Sequence, residues 1–178
     1  RINNNTITDI LNKIEVKAGD VVMVKAGTIH AIGAGVFICE IQQNSNCTYR
    51  MYDYDRRDKF GNPRELHVKK ALDVVDNHKY IKDNKTEVVI ARNEHFTEER
   101  LVQCKYFEVY KYDVNDEAKI TVDEASFVSV LFINGSGTIE TDDYEKTMEF
   151  KAGDSFFVSA GLRSIIIKGQ ATMVVTRV

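Results

Sequence analysis

From Val16 to about Asp55 the apolar residues gather in short runs, "VVMV", "VFICEIQ" and "TYRMYDYD", separated by "GAG" and "QNSN". Short β-rich runs broken by glycine and asparagine predict strands joined by turns, and several in succession predict an all-β sandwich or barrel. The same texture returns from Thr86 onward in "EVVIA", "YFEVYKYDV", "FVSVLFI", "GTIET", "SFFVSA", "SIIIKG" and "TMVVTRV". Between two of these runs lies "NGSG", Asn134–Gly137, which predicts a tight turn because Gly and Asn accept positive φ.

Two stretches have the 3.6-residue period instead. Ile7, Ile10, Leu11 and Ile14 predict a short amphipathic helix near the start. In "FGNPRELHVKKALDVVDNH", Asn62 can cap, Pro63 suits the first helical position, and Glu65 completes a capping box. Leu66, Ala71, Leu72 and Val75 form the apolar stripe, so a helix is predicted from about Pro63 to Asp76, linking two β units. The second unit reads as complete and the first as lacking its beginning.

One segment occurs twice. "KAGDVVMVKAGTIHAI" (Lys17–Ile32) and "KAGDSFFVSAGLRSII" (Lys151–Ile166) align without a gap. Gly19 and Gly153 allow one turn, a hydrophobic run enters the core, and Gly27 and Gly161 turn the chain again. A residue just beyond that second turn can point into a barrel. It is His30 in the first copy and Ser164 in the second. The second copy therefore reads as a structural corner. In the first, Glu40 lies on the next predicted strand and can face the same cavity as His30, since alternate strand residues point inward. Imidazole plus carboxylate is part of a zinc site, but a catalytic zinc takes three protein ligands. On these residues alone a hydrogen-bonded barrel histidine is the better reading of His30.

Composition narrows the function classes. The chain has 178 residues, 24 Lys and Arg against 27 Asp and Glu, and a net charge of −3 with no basic arm, which argues against nucleic acid or an anionic membrane as partner. No apolar run has the length of a transmembrane helix. Three cysteines without a CxxC pair read as reduced cytosolic thiols.

The stretch from Gly27 to His67, "GTIHAIGAGVFICEIQQNSNCTYRMYDYDRRDKFGNPRELH", closely resembles type I mannose-6-phosphate isomerases of Gram-positive bacteria. Gly-Thr-Ile-His-Ala, Glu-Ile-Gln-Gln-Asn-Ser, Tyr-Arg-x-Tyr-Asp-Tyr-Asp-Arg and Pro-Arg-Glu-Leu-His follow in that order. The resemblance covers essentially the whole chain as the C-terminal part of a longer enzyme, with motifs that are specific up to His67 and weak afterwards. It implies two cupin-type jelly-roll units: 1–62 as part of a zinc-binding catalytic domain, 63–85 as a helical linker, and 86–178 as a second, metal-free cupin domain.

The resemblance further implies a cytoplasmic isomerase that interconverts mannose 6-phosphate and fructose 6-phosphate through an enediol. His30 would be a zinc ligand, Arg50 the catalytic arginine, and Glu40 an acidic residue lining the substrate site. The family's other zinc ligands come from Gln-Val-His-Pro and Lys-Thr-Glu segments. This chain has no Gln-Val-His-Pro, and its Lys85–Glu87 lies downstream of His30. The remaining ligands are thus expected upstream of Arg1, and these residues alone are expected to bind zinc weakly and not to turn over. A metal-free carbohydrate-binding or scaffold module is the alternative. Arg50 also has a blander reading as an ion pair with Asp53 or Asp55. Arg56, Arg57 and Arg64 read as phosphate contacts or as a solvated loop. His67 reads as a surface or packing residue on the predicted helix, and His78 and His95 receive no role.

Overall fold

The computed structural model describes residues 1–45, 47–78, 88–142 and 147–178. The chain divides into two compact units, Arg1–Lys82 and Asp83–Val178. Lys85–Glu87 lies outside the described residues.

The second unit is one antiparallel sheet. Its strands are β1 Val88–Arg92, β2 Phe96–Gln103, β3 Glu108–Val114, β4 Glu117–Val122, β5 Val128–Thr141, β6 Met148–Lys151, β7 Ser155–Val158 and β8 Arg163–Arg177. They run in the order β1-β2-β3-β8-β5-β6, with β4 added on β8 and β7 on β5. The two long strands each serve successive partners. β8 pairs with β4 through Arg163–Lys168 and with β3 through Ala171–Arg177, while β5 lies against it along nearly its whole length. β5 in turn pairs with β7 through Val128–Leu131 and with β6 through Ser136–Ile139.

Alternation puts one face of these strands into a single core. Ala118, Ile120 and Val122 of β4, Val128, Val130 and Phe132 of β5, and Ile165, Ile167, Met173 and Val175 of β8 are buried together. Phe132 stacks on Phe150 with ring centroids 3.7 Å apart. Each of these side chains larger than Ala118 contributes about 1.5–3 kcal/mol by leaving water, and this burial holds the unit together.

Two sequence expectations change here. Asn134–Gly137 is not a turn between strands but the middle of β5, and "SIIIKG" and "TMVVTRV" are one strand, β8. The glycines are needed for closeness. Gly137 stands opposite Gly169 across the β5–β8 ladder, beside a bulge between Phe132 and Asn134. A Cβ on Gly135 would lie 1.9 Å from the Gln170 carbonyl oxygen, and one on Gly137 would lie 2.0 Å from that of Lys168. Three strands were absent from the expected set: β2, β4 and β6. In β2 the charged "TEER" hides the alternation that its partners impose.

At one end of this sheet the β1–β2 and β3–β4 connections are tied together. The His95 Nδ1–H donates to Asp116 at 2.9 Å, the Asn115 amide N–H donates to the His95 carbonyl at 2.7 Å, and Asn93 Oδ1 accepts from the His95 and Phe96 amides. The Asp116 hydrogen bond and charge raise the His95 pKa, and the His95 hydrogen bond lowers that of Asp116. The sign of the linkage follows. A raised histidine stabilises fully below its unfolded pKa and loses the contribution as pH rises through the folded value. The lowered Asp116 contributes above its unfolded pKa and loses this as pH falls. The pair is therefore most stabilising between about pH 4 and 6.5. His95→Gln is expected to lower the melting temperature more at pH 5.5 than at pH 8.5, and equal losses at both would refute the ionic contribution.

The described residues of the first unit form the 3-10 turns Ile2–Asn4 and Ile7–Ile10 and one helix, α1 Val68–Val74. The helix expected near Ile7–Ile14 is thus only a short turn, with Ile7 buried but Ile10 and Ile14 exposed. α1 is shorter than the expected Pro63–Asp76 because its first residues are engaged elsewhere. Asn62 donates from its backbone to Asp58, and Pro63 bridges Arg57. His67 is the residue before the helix and donates its amide N–H to the Arg50 carbonyl at 2.7 Å.

No strand forms among the described residues of this unit, contrary to the reading of "VVMV", "VFICEIQ" and "TYRMYDYD". A strand needs a neighbour for its N–H and C=O groups, and the described residues of the unit supply none beyond the Arg57–Pro63 bridge. Val22, Val24, Val36, Phe37 and Ile38 are accordingly exposed, Phe37 almost completely at 98%. A first jelly-roll unit is therefore not seen.

The duplicated corner is nevertheless made in the same way twice. The Lys17 amide donates to Asp20 Oδ2 at 3.2 Å and the Asp20 amide to the Lys17 carbonyl at 3.1 Å. Lys151 and Asp154 make the same two bonds at 2.9 and 3.1 Å. Gly19 and Gly153 have φ 93° and 91°, and Gly27 and Gly161 have 83° and 80°. The sequence repeat is thus a repeat of backbone conformation.

Candidate active site

Arg50 has the most structured surroundings of the expected site residues. Its backbone pairs with His67 on both sides, since the Arg50 amide donates to His67 Nδ1 at 3.3 Å and its carbonyl accepts the His67 amide. Its guanidinium donates from Nη1 to the Glu65 carbonyl at 3.1 Å, and its Nε lies 3.9 Å from Asp53 Oδ1. The side chain is 25% exposed. Among the described residues most of its five N–H donors have no hydrogen-bond acceptor other than the Glu65 carbonyl.

Asp53 is a buried carboxylate. Arg64 grips it with both ends of its fork, Nε to Oδ2 at 2.8 Å and Nη2 to Oδ1. The Arg64 hydrogen bond holds the Asp53 carboxyl below the usual carboxylate range, outweighing burial, and the charges of Arg64, Arg50 and Arg56 add to the effect. Tyr54 and Asp55 follow directly in the left-handed region, with φ 55° and 51°. Two adjacent non-glycine residues there cost of order 1–3 kcal/mol each, so the Asp53–Arg64 contact secures a strained turn. The ion pair weighed for Arg50 is with Asp53; Asp55 pairs instead with Arg57 at 2.8 Å.

His30 is exposed, and its Nδ1 lies 2.8 Å from the Thr28 carbonyl. A carbonyl only accepts, so Nδ1 carries a proton, and Nε2 is the ring nitrogen left for a ligand. A metal-bound histidine is oriented in the same way by a backbone carbonyl. Glu40 is exposed as well. Among the described residues no hydrogen bond or ion pair joins it to His30, and no three His, Cys, Asp or Glu side chains converge as a metal site requires. His30 therefore fits zinc as a single ligand, but the described residues do not complete a zinc centre.

In the second copy Ser164 takes the place of His30 and is buried at 2% exposure. Its hydroxyl donates to Asp142, which also accepts from Lys119 Nζ at 2.9 Å. These bonds hold the Asp142 carboxyl below its usual range, Ser164 first and Lys119 second. The position has become a structural hydrogen-bond cluster. Cys39, Cys47 and Cys104 are free thiols, and among the described residues no helix is long and apolar enough to cross a membrane.

Two residues at this site were underrated from sequence. Asp53 figured only as a partner that would neutralise Arg50, and Arg64 as a phosphate contact or a solvated loop cation. Their joint role depends on an approach across eleven residues, which no local spacing signals. His67, placed on a helix surface, instead fixes the Arg50 backbone.

Residues 97–178 match the family described as "Mannose-6-phosphate isomerase, cupin domain". Bacillus subtilis YvyI, whose name assigns it provisionally to the same isomerases, is 41% identical over 99% of this chain and 54% of its own length. Mannose-6-phosphate isomerase ManA of B. subtilis is 34% identical over 94% of this chain and 52% of its own. The crystal structure of the mannose 6-phosphate isomerase from B. subtilis superposes with a TM-score of 0.67 at 39% identity, covering 76% of this chain and 42% of that one. The chain spans about half the length of the curated relatives it matches. It belongs to the mannose-6-phosphate isomerase family, and its second unit carries that family's cupin domain.

Proposed function

We propose that the protein containing this chain is a cytoplasmic, zinc-dependent isomerase that interconverts mannose 6-phosphate and fructose 6-phosphate through an enediol. Residues 1–62 are then part of its zinc-binding catalytic domain, 63–85 a linker and 86–178 a metal-free cupin domain. The names of the relatives support the reaction class. The observation that carries the site is the guanidinium of Arg50, anchored on the Glu65 carbonyl and beside Asp53 with donors left over.

Moving a proton between C1 and C2 of a sugar phosphate places negative charge on the enediol oxygens. A permanently charged guanidinium already fixed in position stabilises that charge without reorganising. Glu40 is assigned to the substrate site, and His30 is assigned as one zinc ligand through Nε2, with the others supplied from outside this chain. Zinc, when bound, supplies Lewis-acid polarisation of the substrate oxygens; no step is assigned to it from the described residues.

The test is a coupled assay of the full-length protein with mannose 6-phosphate. Arg50→Ala is expected to lower kcat/KM by about 100- to 1000-fold, the usual loss for one preorganised donor to a developing charge. Unchanged turnover would remove Arg50 from the active site.

A further inference from the structure

We infer that Asp53, locked by Arg64, is a positioning residue that sets the aim of the Arg50 guanidinium. This rests on the reading of Arg50 as the catalytic arginine and adds a device that the reading does not require.

The argument begins from charge. Arg50, Arg56 and Arg64 all act on Asp53, and it is the buried carboxylate of the group. An arginine held by a buried carboxylate in a two-point contact is geometrically fixed, because both planes must align. Arg64 forms that contact; Arg50 does not. Arg50 stands 3.9 Å from the same Oδ1 that Arg64 Nη2 contacts. Each carboxylate oxygen accepts one hydrogen bond from Arg64, while Arg50, beyond hydrogen-bond distance, is attracted by charge alone. Arg50 is held in place without surrendering its donors to the carboxylate.

The backbone adds to this. The Arg56 amide closes a turn onto the Asp53 carbonyl at 2.9 Å, and Tyr54 and Asp55 between them are left-handed. Asp58 then caps the Phe60 and Asn62 amides, and Arg57 bridges Pro63 just before Arg64. Residues 53–64 thus form a loop whose two ends are joined by the Asp53–Arg64 fork. The Arg50 backbone is fixed separately by His67. Loss of the fork is expected to release the loop and the guanidinium together while leaving the Arg50 backbone in place.

The experiment is a double-mutant cycle on the full-length enzyme, assayed with mannose 6-phosphate. Asp53→Asn alone is expected to lower kcat/KM on the order of 100-fold, as a misplacement of about 1 Å does, chiefly in kcat. In an Arg50→Ala background the same change is expected to cost less than about threefold, because a residue acting through Arg50 has nothing left to aim. Asp53→Glu, which keeps the charge, is expected to recover part of the loss. Multiplicative losses in the double variant would overturn the inference while leaving Arg50 catalytic. Near-normal turnover of Arg50→Ala alone would instead overturn the active-site reading, and this inference with it. If Asp53→Asn does not fold, Arg64→Lys completes the cycle, since it keeps a cation but gives up the two-point contact; the same non-additivity with Arg50→Ala is expected.

Discussion

Gly135→Ala will destabilise the second unit by more than about 4 kcal/mol, a loss at the exceptional end for a single substitution. Two effects combine. Gly135 has φ 89°, which strains any residue with a Cβ. The added Cβ would also stand 1.9 Å from the Gln170 carbonyl oxygen and 2.8 Å from the Ala171 Cα. Both obstacles are backbone of β8, so relief requires separating the ladder that runs from Val128–Arg177 to Thr141–Ile165. Gly153→Ala is the control. Its φ is nearly the same at 91°, but a Cβ there meets nothing within 4 Å. It is expected to cost only the conformational strain, about 1–3 kcal/mol. Urea denaturation of the two variants beside the wild type separates the effects. Equal losses at both positions would show that the strands do not approach as closely as described.

These glycines also show where sequence reading reaches its limit. "NGSG" has the composition of a turn, and a glycine that permits a turn is written in the same way as one that permits two backbones to touch. Only the partner strand, with Gly169 opposite Gly137, tells them apart. β5 and β8 were readable as strands because "FVSVLFI" and "TMVVTRV" are short runs rich in β-branched and aromatic residues, whatever the topology. β2 was not, since Glu98, Glu99 and Arg100 mask its pattern. In the first unit the apolar runs around Val22 and Ile38 carry strand propensity but find no ladder partner among the described residues, so propensity alone misled.

The site was legible in residue types rather than in geometry. His30 and Arg50 stood out through the motif resemblance, and the repeated corner was visible as text and recurs as matching hydrogen bonds at Asp20 and Asp154. That Ser164 stands where the first copy has His30 was also readable; its contact to Asp142 was not, because the two lie far apart along the chain. The same holds for the fork of Arg64 on Asp53 and for the tie between His95 and Asp116. Long-range polar pairs leave no periodic trace.

The assignment of His30 leads to the second large effect. Its Nδ1 is engaged by the Thr28 carbonyl, so Nε2 is the only ring atom left to bind a metal. On that assignment, removing the imidazole takes away one of the three protein ligands a catalytic zinc needs. The most direct measurement is therefore zinc content together with mannose-6-phosphate turnover of the full-length protein, before and after His30→Ala. The account predicts about one zinc per chain in the wild type, with both metal and turnover lost in the variant. A His30→Ala protein that keeps its zinc and its isomerase activity would contradict it.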